Sequence, residues 1–378
     1  TLVFDSHSFD NVICLGLILD KDGYKMSKSK GNVVDPWDVI KQHGADAFRW
    51  YLYTAGSPGQ ERRFSEDLVG EVVRNFTLTL WNTYSFFVTY SNLDEWSPQE
   101  GVEPEYSDLD RWLLSYLHTL VRDVTEAYEK YNVPAATRPI AKFVDQLSNW
   151  YLRRSRRRYW KTESDSDKAG AYATLYEALN TLSFLLAPTM PFIAEEMYQN
   201  LVRENDPEAP LSVHLADWPK FDATLIDENL NREMAAVMKL ASLGHAARNS
   251  QNLKVRQPLA EAAFVVGNLD EQSVVDAYAD LLMDELNVKS VSLLDSASDE
   301  VTFSLNPLPK QLGQRFKAQF PKVRKALLDL PADQSARQLL DGEILKIIVD
   351  GKSYQISPDE VEVRAEAKEG FAVASEGA

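Results

Sequence analysis

The sequence predicts a multidomain fold in which an α/β segment, an all-α bundle and a second, small α/β domain follow one another. Three observations lead to this prediction. A strand-like apolar run at 12–19 precedes a polar loop and two short helical patterns. Residues 65–205 show long helical periodicity interrupted by short turns, and after residue 250 strand and helix patterns alternate.

The composition excludes several classes of protein. With 378 residues, 44% hydrophobic and 26% charged, the chain has room for two or three ordinary globular domains. No apolar run approaches the roughly 18 residues that a membrane span needs, so we expect no membrane contact. The net charge of -17 argues against a protein that coats nucleic acid through bulk charge. Any nucleic-acid contact must therefore be local.

The cysteine and histidine content predicts neither disulfides nor metal ligands. Cys14 is the single cysteine, which excludes internal disulfides and a cysteine-rich zinc site and favours a cytoplasmic location. The five histidines are scattered, and we predict no metal site. The sequence opens at Thr1 without Met or a signal peptide, so we expect it to be part of a longer protein.

The first segment, residues 1–62, is interpreted as the end of an α/β domain. Its strand-like run is followed by a polar loop at 20–34 and by helical patterns near 36–43 and 45–53. In Asp35-Pro36, aspartate is a predicted helix cap and proline the first helical residue, and we favour this structural role for both.

The second segment, residues 63–225, is predicted to be a bundle of antiparallel helices. Ser65 is a predicted N-cap with two acidic residues in the first turn after it. Further helices are expected after Ser107, after Pro134 and near Lys168.

The third segment, residues 226–378, begins with a helical pattern up to about residue 250 and predicts a small α/β accessory domain. Strands are expected at 262–266, 288–294, 301–305 and 344–349. The last stretch, 370–374, resembles a strand with little after it, so we expect that the chain is cut short here as well.

A lysine-rich loop carries the clearest chemistry. Residues 25–31 combine three lysines and two serines with a glycine. When a carboxylate attacks the α-phosphate of ATP, negative charge builds on the leaving pyrophosphate, and ammonium groups and hydroxyls stabilise that charge. Lysine is a mobile point charge on a long stem, and Gly31 lets the backbone bend. The alternative is an exposed loop that serves solubility alone.

The string KMSKS at 25–29 resembles the second signature of class I aminoacyl-tRNA synthetases. The flanks at 33–36 and 44–49 are similar to the Ile/Val/Leu/Met subgroup, and the stretches 49–54 and 59–64 resemble isoleucyl-tRNA synthetases. The resemblance implies that residues 1–62 end a Rossmann-like catalytic domain, that Lys28 and Lys25 act in catalysis, and that ATP arrives with Mg²⁺. The implied ATP-binding residues are Lys25, Met26, Ser27, Lys28 and Ser29.

An arginine-rich helix spans residues 147–161, where six of the last nine residues are basic. Aromatic residues alternate with the arginines, a composition that suits a splayed single-stranded RNA loop, because bases stack on rings and guanidinium planes while charges hold the phosphates. In the alternative interpretation, acidic residues of the bundle pair with the arginines, Arg153 and Arg154 above all, and Trp150 belongs to the core.

This stretch resembles the Ser-Asn-Trp-Tyr-basic sequence of isoleucyl-tRNA synthetases, which implies that residues 63–225 form an anticodon-binding domain and residues 226–378 a junction or accessory domain. The predicted tRNA contacts are Trp150, Arg156, Arg157, Arg158, Tyr159, Trp160 and Lys161.

The resemblance implies an isoleucine-tRNA ligase, with ATP, isoleucine and tRNA(Ile) as partners. The first ATP signature, of the His-x-Gly-His type, and the isoleucine pocket precede the lysine loop in this family and are not found here, so we expect the isolated chain to be inactive. A carboxyl-terminal zinc module is not expected either. Two alternatives stay open, a fragment of a valyl- or leucyl-tRNA synthetase and a non-catalytic RNA-binding protein.

Overall fold

The computed structural model describes residues 3, 5–98, 102–160, 164–266, 269–294, 301–340, 342–367 and 372–374. Contacts divide the chain into two compact units, Thr1–Asn231 and Arg232–Ala378. The three-part division after residues 62 and 225 stays a prediction. Within the described residues, no helix is both long enough and apolar enough to cross a membrane.

The first unit begins with a small parallel pair of strands, β1 (Ile18–Leu19) and β2 (Arg62–Arg63). The predicted strand at 12–19 was therefore too long. Residues 12–17 have no partner strand among the described residues, and most of their apolar side chains are exposed, so they lack the hydrogen-bonded ladder that a strand requires.

Two short helices follow as predicted, α1 (Pro36–His43) and α2 (Ala45–Thr54). The cap at the start of α1 is confirmed, because the Asp35 carboxylate accepts a hydrogen bond of 2.9 Å from the backbone N–H of Trp37. Pro36 occupies the first helical position, where its missing N–H costs nothing.

The rest of the first unit is a helical bundle with a large apolar core. Its helices are α3 (Glu66–Val72), α4 (Leu78–Leu93), α5 (Asp108–Glu129), α6 (Val133–Gln146), α7 (Arg153–Trp160), α8 (Asp165–Leu186) and α9 (Pro191–Tyr198). The predicted cap Ser65 is confirmed by its bond from the N–H of Leu68. Ser107 forms a reciprocal capping box with Asp110. Fully buried Leu113 and Leu175 are typical of the core.

Three wide π-helical turns interrupt the bundle, at Val73–Thr77, Leu147–Leu152 and Gln199–Arg203. A π turn holds one residue more than an α turn, so it rotates everything that follows it around the helix axis. At the second of these turns, Trp150, Tyr151 and Leu152 are all buried in succession. The turn therefore sets which arginines of α7 face outward.

The second unit is α/β. It contains α10 (Glu228–Ser250), whose first residues belong to the first unit, and a β-α-α-β element in which β3 (Leu259–Phe264) and β4 (Val288–Leu293) are parallel. The two helices between these strands are α11 (Leu269–Ala277) and α12 (Ala279–Leu286).

Two antiparallel pairs complete this unit. They are β5 (Val301–Pro307) with β8 (Val361–Ala367), and β6 (Leu345–Val349) with β7 (Lys352–Ile356). The helices α13 (Pro309–Phe316), α14 (Phe320–Leu328) and α15 (Ala332–Leu340) pack against them.

The four strands predicted for this region are confirmed within a few residues, whereas β7 and β8 were missed. A strand was expected at 370–374. Residues 372–374 form none, and the first two positions of that stretch lie outside the described residues.

Candidate functional site

The lysine loop is held by two polar residues that were not predicted from the sequence, Asp20 and Asn32. The Asn32 amide donates to the Asp20 carboxylate at 2.7 Å and to the Lys25 carbonyl at 3.3 Å, and its oxygen accepts from the N–H of Ser27 at 2.9 Å. Asp20 also accepts from the N–H of Tyr24 at 2.8 Å. These bonds join both ends of the loop. The asparagine directly after Gly31 is the sequence feature that could have indicated this role.

The hydrogen bond from Asn32, together with those from nearby backbone N–H groups, lowers the pKa of Asp20 below its usual value. Asp20 therefore stays ionised and keeps its acceptor role throughout the neutral range. A negative charge at the base of the loop is also placed to balance part of the positive charge that the lysines carry.

Within the lysine loop, one side chain anchors the loop in the protein core and others face the solvent. Met26 is half-buried against the small core around Val39 and Phe64. Lys25, Lys28 and Ser29 are exposed, and Lys28–Lys30 form a short 3-10 turn that ends at Gly31, with φ of 66°. The left-handed backbone at this position favours glycine. The loop thus directs ammonium and hydroxyl groups toward solvent, where a polyphosphate can reach them.

Helix α2 is clamped to the bundle at the start of α9. The Asp46 carboxylate accepts from the backbone N–H groups of Phe192 and Ile193, at 3.3 and 2.8 Å, and burial raises its pKa above the usual value. The Arg49 guanidinium donates to the carbonyls of Pro188 and Thr189, at 2.8 and 3.1 Å. These bonds connect the segment that carries the lysine loop to the helical bundle within one compact unit.

The arginine helix α7 has a buried side and an exposed side. On the buried side, the Arg158 guanidinium donates to both carboxylate oxygens of Asp110, at 2.9 and 2.8 Å, and pairs with Asp167 at 2.8 Å. The Arg158 side chain is only 15% exposed. This cation is therefore already neutralised within the protein and is not accessible to an RNA phosphate.

Two aromatic residues that we predicted as tRNA contacts also lie inside the bundle. Tyr159 is 1% exposed and donates its hydroxyl to the carbonyl of Ala171 at 2.9 Å. Trp150 is 7% exposed, and the Arg154 guanidinium lies 5.5 Å from its ring centroid. Neither ring has a free face for a base. The interpretation of Trp150 as core matches this geometry. Lys161 lies outside the described residues.

The exposed residues of α7 are Arg153 at its start and then Arg156, Arg157 and Trp160, the last being 52% exposed. Two rings from α4 extend this surface, although the sequence analysis did not single them out. The Arg156 guanidinium lies 5.9 Å from the ring centroid of Phe86, and the Trp160 ring lies 5.8 Å from that of Tyr90. The α4–α7 patch is the name we give to Phe86, Tyr90, Arg156, Arg157 and Trp160.

No sequence signal near α7 could have identified Phe86 and Tyr90. They are four residues apart on α4, a spacing that equally indicates an ordinary core stripe, and both are half-buried. Only the packing of α4 against α7 shows that they lie beside arginine and tryptophan at the surface.

Among the described residues, no group of three or more histidine, cysteine, aspartate or glutamate side chains is arranged to hold a metal ion. Cys14 is a free, exposed thiol. The chemistry present in the two regions is thus cationic, hydroxylic and aromatic, which suits phosphates and bases.

Comparisons with known proteins agree with both regions. A family model described as "tRNA synthetases class I (I, L, M and V)" matches residues 1–65, and a model described as "Anticodon-binding domain of tRNA ligase" matches residues 110–263. The first match contains the lysine loop, and the second contains α7.

Curated relatives named isoleucine-tRNA ligase match most or all of the chain. One from Thermus thermophilus is 46% identical across 98% of this chain and 36% of its own length. One from Clostridium tetani is 43% identical across 100% of this chain and 36% of its own length, and one from Dehalococcoides mccartyi is 54% identical across 78% and 29%. The chain spans about a third of the length of these relatives. By these matches, the chain belongs to the isoleucine-tRNA ligase family of class I tRNA synthetases.

Proposed function

We propose that this chain supplies the second ATP-binding motif and the tRNA-binding domain of an isoleucine-tRNA ligase. The complete enzyme joins isoleucine to ATP, forming isoleucyl-adenylate and pyrophosphate, and then transfers isoleucine to the terminal ribose hydroxyl of tRNA(Ile). The observation that carries the proposal is the lysine loop, whose exposed Lys25, Lys28 and Ser29 are held by the bonds between Asn32 and Asp20.

In this proposal, the lysine loop acts in the formation of the adenylate. Lys28 engages the phosphates of ATP and Lys25 supports it, since both ammonium groups are exposed on a loop with fixed ends. Ser29 donates its hydroxyl to phosphate oxygens, and Met26 contributes by anchoring the loop in the core. Magnesium accompanies ATP as its counter-ion. The isoleucine pocket lies mostly outside this chain.

The proposed tRNA contact is the α4–α7 patch. It combines two arginines that have exposed side chains with three neighbouring rings, one of which lies beside Arg156, and this combination holds unstacked bases and their phosphates. Arg158, Tyr159 and Trp150 support this surface from inside the bundle. We therefore keep Arg156, Arg157 and Trp160 as proposed RNA contacts and add Phe86 and Tyr90 to them, while Lys161 stays a prediction from the sequence.

Domain roles and location belong to the same proposal. Residues 1–62 end the catalytic domain, residues 63–225 bind the anticodon region, and residues 226–378 form the junction or accessory domain. We place the enzyme in the cytoplasm, where a free, exposed Cys14 stays reduced.

The test is the binding of this chain to a tRNA(Ile) transcript and to one with a changed anticodon, across a salt series. We expect at least tenfold tighter binding to the first, which is about 1.4 kcal/mol. Equal, weak and strongly salt-dependent binding to both transcripts would contradict the assignment of anticodon recognition. Charging of tRNA by the complete enzyme with isoleucine, valine and leucine then tests the amino-acid specificity.

A further inference from the structure

The second unit carries a basic segment that neither the lysine loop nor α7 explains. Residues 308–328, which span α13, a 3-10 turn and α14, contain six basic residues and no acidic one. The whole chain has a net charge of -17, so this segment differs sharply from its surroundings. It also lies outside both family matches.

Packing keeps all of this charge out of the core. Leu312, Phe316, Val323 and Leu327 are buried in the core of the unit. The basic side chains are exposed, and they are Lys310, Arg315, Lys317, Lys322, Arg324 and Lys325.

Two of the six cations have partners. Arg315 pairs with Glu360 at 2.7 Å, and Lys322 pairs with Asp350 at 2.7 Å. The other four form no ion pair with any residue that the structure describes, and we call them the α13–α14 basic face: Lys310, Lys317, Arg324 and Lys325. Four exposed cations within sixteen residues make this segment locally positive, which favours the binding of an anion.

The backbone at Lys317 gives a second indication. This residue has φ of 45° and ψ of -118°, in a region that residues with a side chain rarely adopt. Glycine would fit this conformation at lower cost. A lysine in a strained turn, between the two helices that carry the other three cations, indicates a side chain that is used for binding.

We propose that the α13–α14 basic face binds the phosphate backbone of RNA and provides a second contact for the tRNA. The identity of the RNA rests on the proposed function, whereas the surface itself is separate from the α4–α7 patch. Phosphate contacts position a nucleic acid without reading its sequence, so this face contributes affinity and orientation rather than anticodon discrimination.

The chemistry of the basic face favours RNA over a membrane surface and over a protein partner. A helix that lies on a membrane needs an exposed apolar side, but Leu312, Phe316, Val323 and Leu327 are buried in the core, and Leu328 is the one large apolar side chain of α13 and α14 that is mostly exposed. Protein interfaces are typically depleted of lysine and enriched in exposed aromatic rings, and Phe316 is only 8% exposed. A dispersed set of lysine and arginine is typical of contacts with a phosphate backbone.

The experiment measures the binding of the whole chain to both transcripts across a salt series. The test variant carries K317Q, R324Q and K325Q together. We expect its slope of log affinity against log salt to fall by about 2 to 3, since each contact with a duplex phosphate contributes about 0.9. Both transcripts should lose affinity by the same factor. The control variant removes three exposed lysines of the same unit, K289Q, K346Q and K352Q, and should keep the slope.

A single variant, K317G, separates binding from folding. We expect it to weaken RNA binding while its thermal midpoint stays the same or rises, because glycine fits the backbone at this position. A lysine with only a structural role would give the opposite pattern, a lower midpoint with unchanged RNA affinity, and that result overturns the proposal.

Other outcomes distinguish this inference from the proposed function. If the triple variant keeps the wild-type slope while the chain still discriminates the transcripts, the basic face is not an RNA contact and the proposed function stands. If the wild-type chain does not discriminate but the triple variant loses affinity for both transcripts, the face is supported and anticodon recognition fails. A competition experiment adds polyglutamate at the same concentration as the RNA. If it displaces RNA from the wild-type chain but not from the triple variant, the face binds acidic polypeptides and the inference is overturned.

Discussion

The Arg158 guanidinium donates to both carboxylate oxygens of Asp110, at 2.9 and 2.8 Å, and Asp110 is completely buried. Tyr151 adds a third bond to the same carboxylate, at 2.6 Å. Because Asp110 also closes the capping box with Ser107, the pair ties the first turn of α5 to the last turn of α7. The bonds to Asp110 keep Arg158 inside the bundle, whereas Arg156 remains exposed on the other side of the helix.

Loss of the Asp110 carboxylate should destabilise the bundle strongly. Asp110→Asn removes the buried counter-ion of Arg158 and leaves the partly exposed Asp167 as its remaining anionic partner, so we expect a loss of about 3 kcal/mol in the free energy of unfolding. Urea denaturation at neutral pH measures this loss. The control is Asp108→Asn, since Asp108 has a side chain that is 71% exposed and its pair with Arg111 is a surface pair. Equal stabilities of the two variants would contradict the structural role of Asp110.

The same pair predicts how stability depends on pH. Burial raises the pKa of Asp110, but the hydrogen bonds and charge of Arg158, with Tyr151 and Ser107, outweigh burial and hold the pKa below its usual value. The unfolded carboxyl titrates near about 3.9. The contribution of Asp110 is therefore complete above the unfolded pKa and is lost as pH falls through the folded pKa.

We expect the difference in unfolding free energy between the wild type and Asp110→Asn to be constant from about pH 7 to pH 5 and to shrink below about pH 4. Urea denaturation at a series of pH values measures it. A difference that grows on acidification would mean that the folded pKa is raised, and would contradict the assigned pairing.

The sequence predicted most helices because their caps and apolar periodicity are local. Ser65, Ser107 and Asp35 begin helices as expected. The orientation of α7 was not predictable in the same way. A regular period of 3.6 residues fails across the π turn at Leu147–Leu152, so the sequence could not show which of the arginines in α7 turns inward.

Long-range pairing also limited the prediction of the site. The partner of Arg158 lies 48 residues earlier in the chain, and the rings beside α7 come from α4. The cations of the lysine loop could be read from the sequence because they are contiguous, and the structure places Lys25 and Lys28 at the surface. The role of Asp20 was not predictable, because it depends on a hydrogen bond from Asn32 across the loop.

Removal of the Lys28 ammonium should slow the formation of the adenylate. In the complete enzyme we expect Lys28→Ala to reduce isoleucine-dependent exchange between ATP and pyrophosphate by about 100-fold or more, as for the loss of one donor that stabilises transition-state charge. The control is Lys41→Ala, because the Lys41 side chain is 76% exposed on α1 and outside the loop. Equal rates for the two variants would show that Lys28 does not act on ATP.

Asn32 should act by holding the lysine loop in shape. Asn32→Ala removes the bonds to Asp20, Lys25 and Ser27, so we expect the pKa of Asp20 to rise toward its usual value, measured by NMR titration. In the complete enzyme the KM for ATP should rise, because the free loop has more conformations to restrict on binding. The exposed Asn249→Ala in α10 is the control. An unchanged pKa of Asp20 would contradict the bond to Asn32.

Trp160 should contribute to RNA binding by stacking rather than by folding. It is 52% exposed beside Phe86 and Tyr90, so Trp160→Ala should leave the thermal midpoint nearly unchanged and weaken tRNA binding by about 1 to 3 kcal/mol, the usual contribution of one stacked base. Trp37→Ala is the matched control, since Trp37 is 68% exposed and lies on α1, away from the α4–α7 patch.

Trp160→Phe keeps an aromatic face and should recover most of the affinity that alanine loses, whereas a purely electrostatic patch would treat the two substitutions alike. Because the charge of the patch is unchanged in both variants, the salt dependence of binding should stay the same. If Trp160→Ala and Trp37→Ala bind tRNA equally well, the rings of the α4–α7 patch do not stack on bases. Arg156 and Arg157 alone would then account for its contact with RNA.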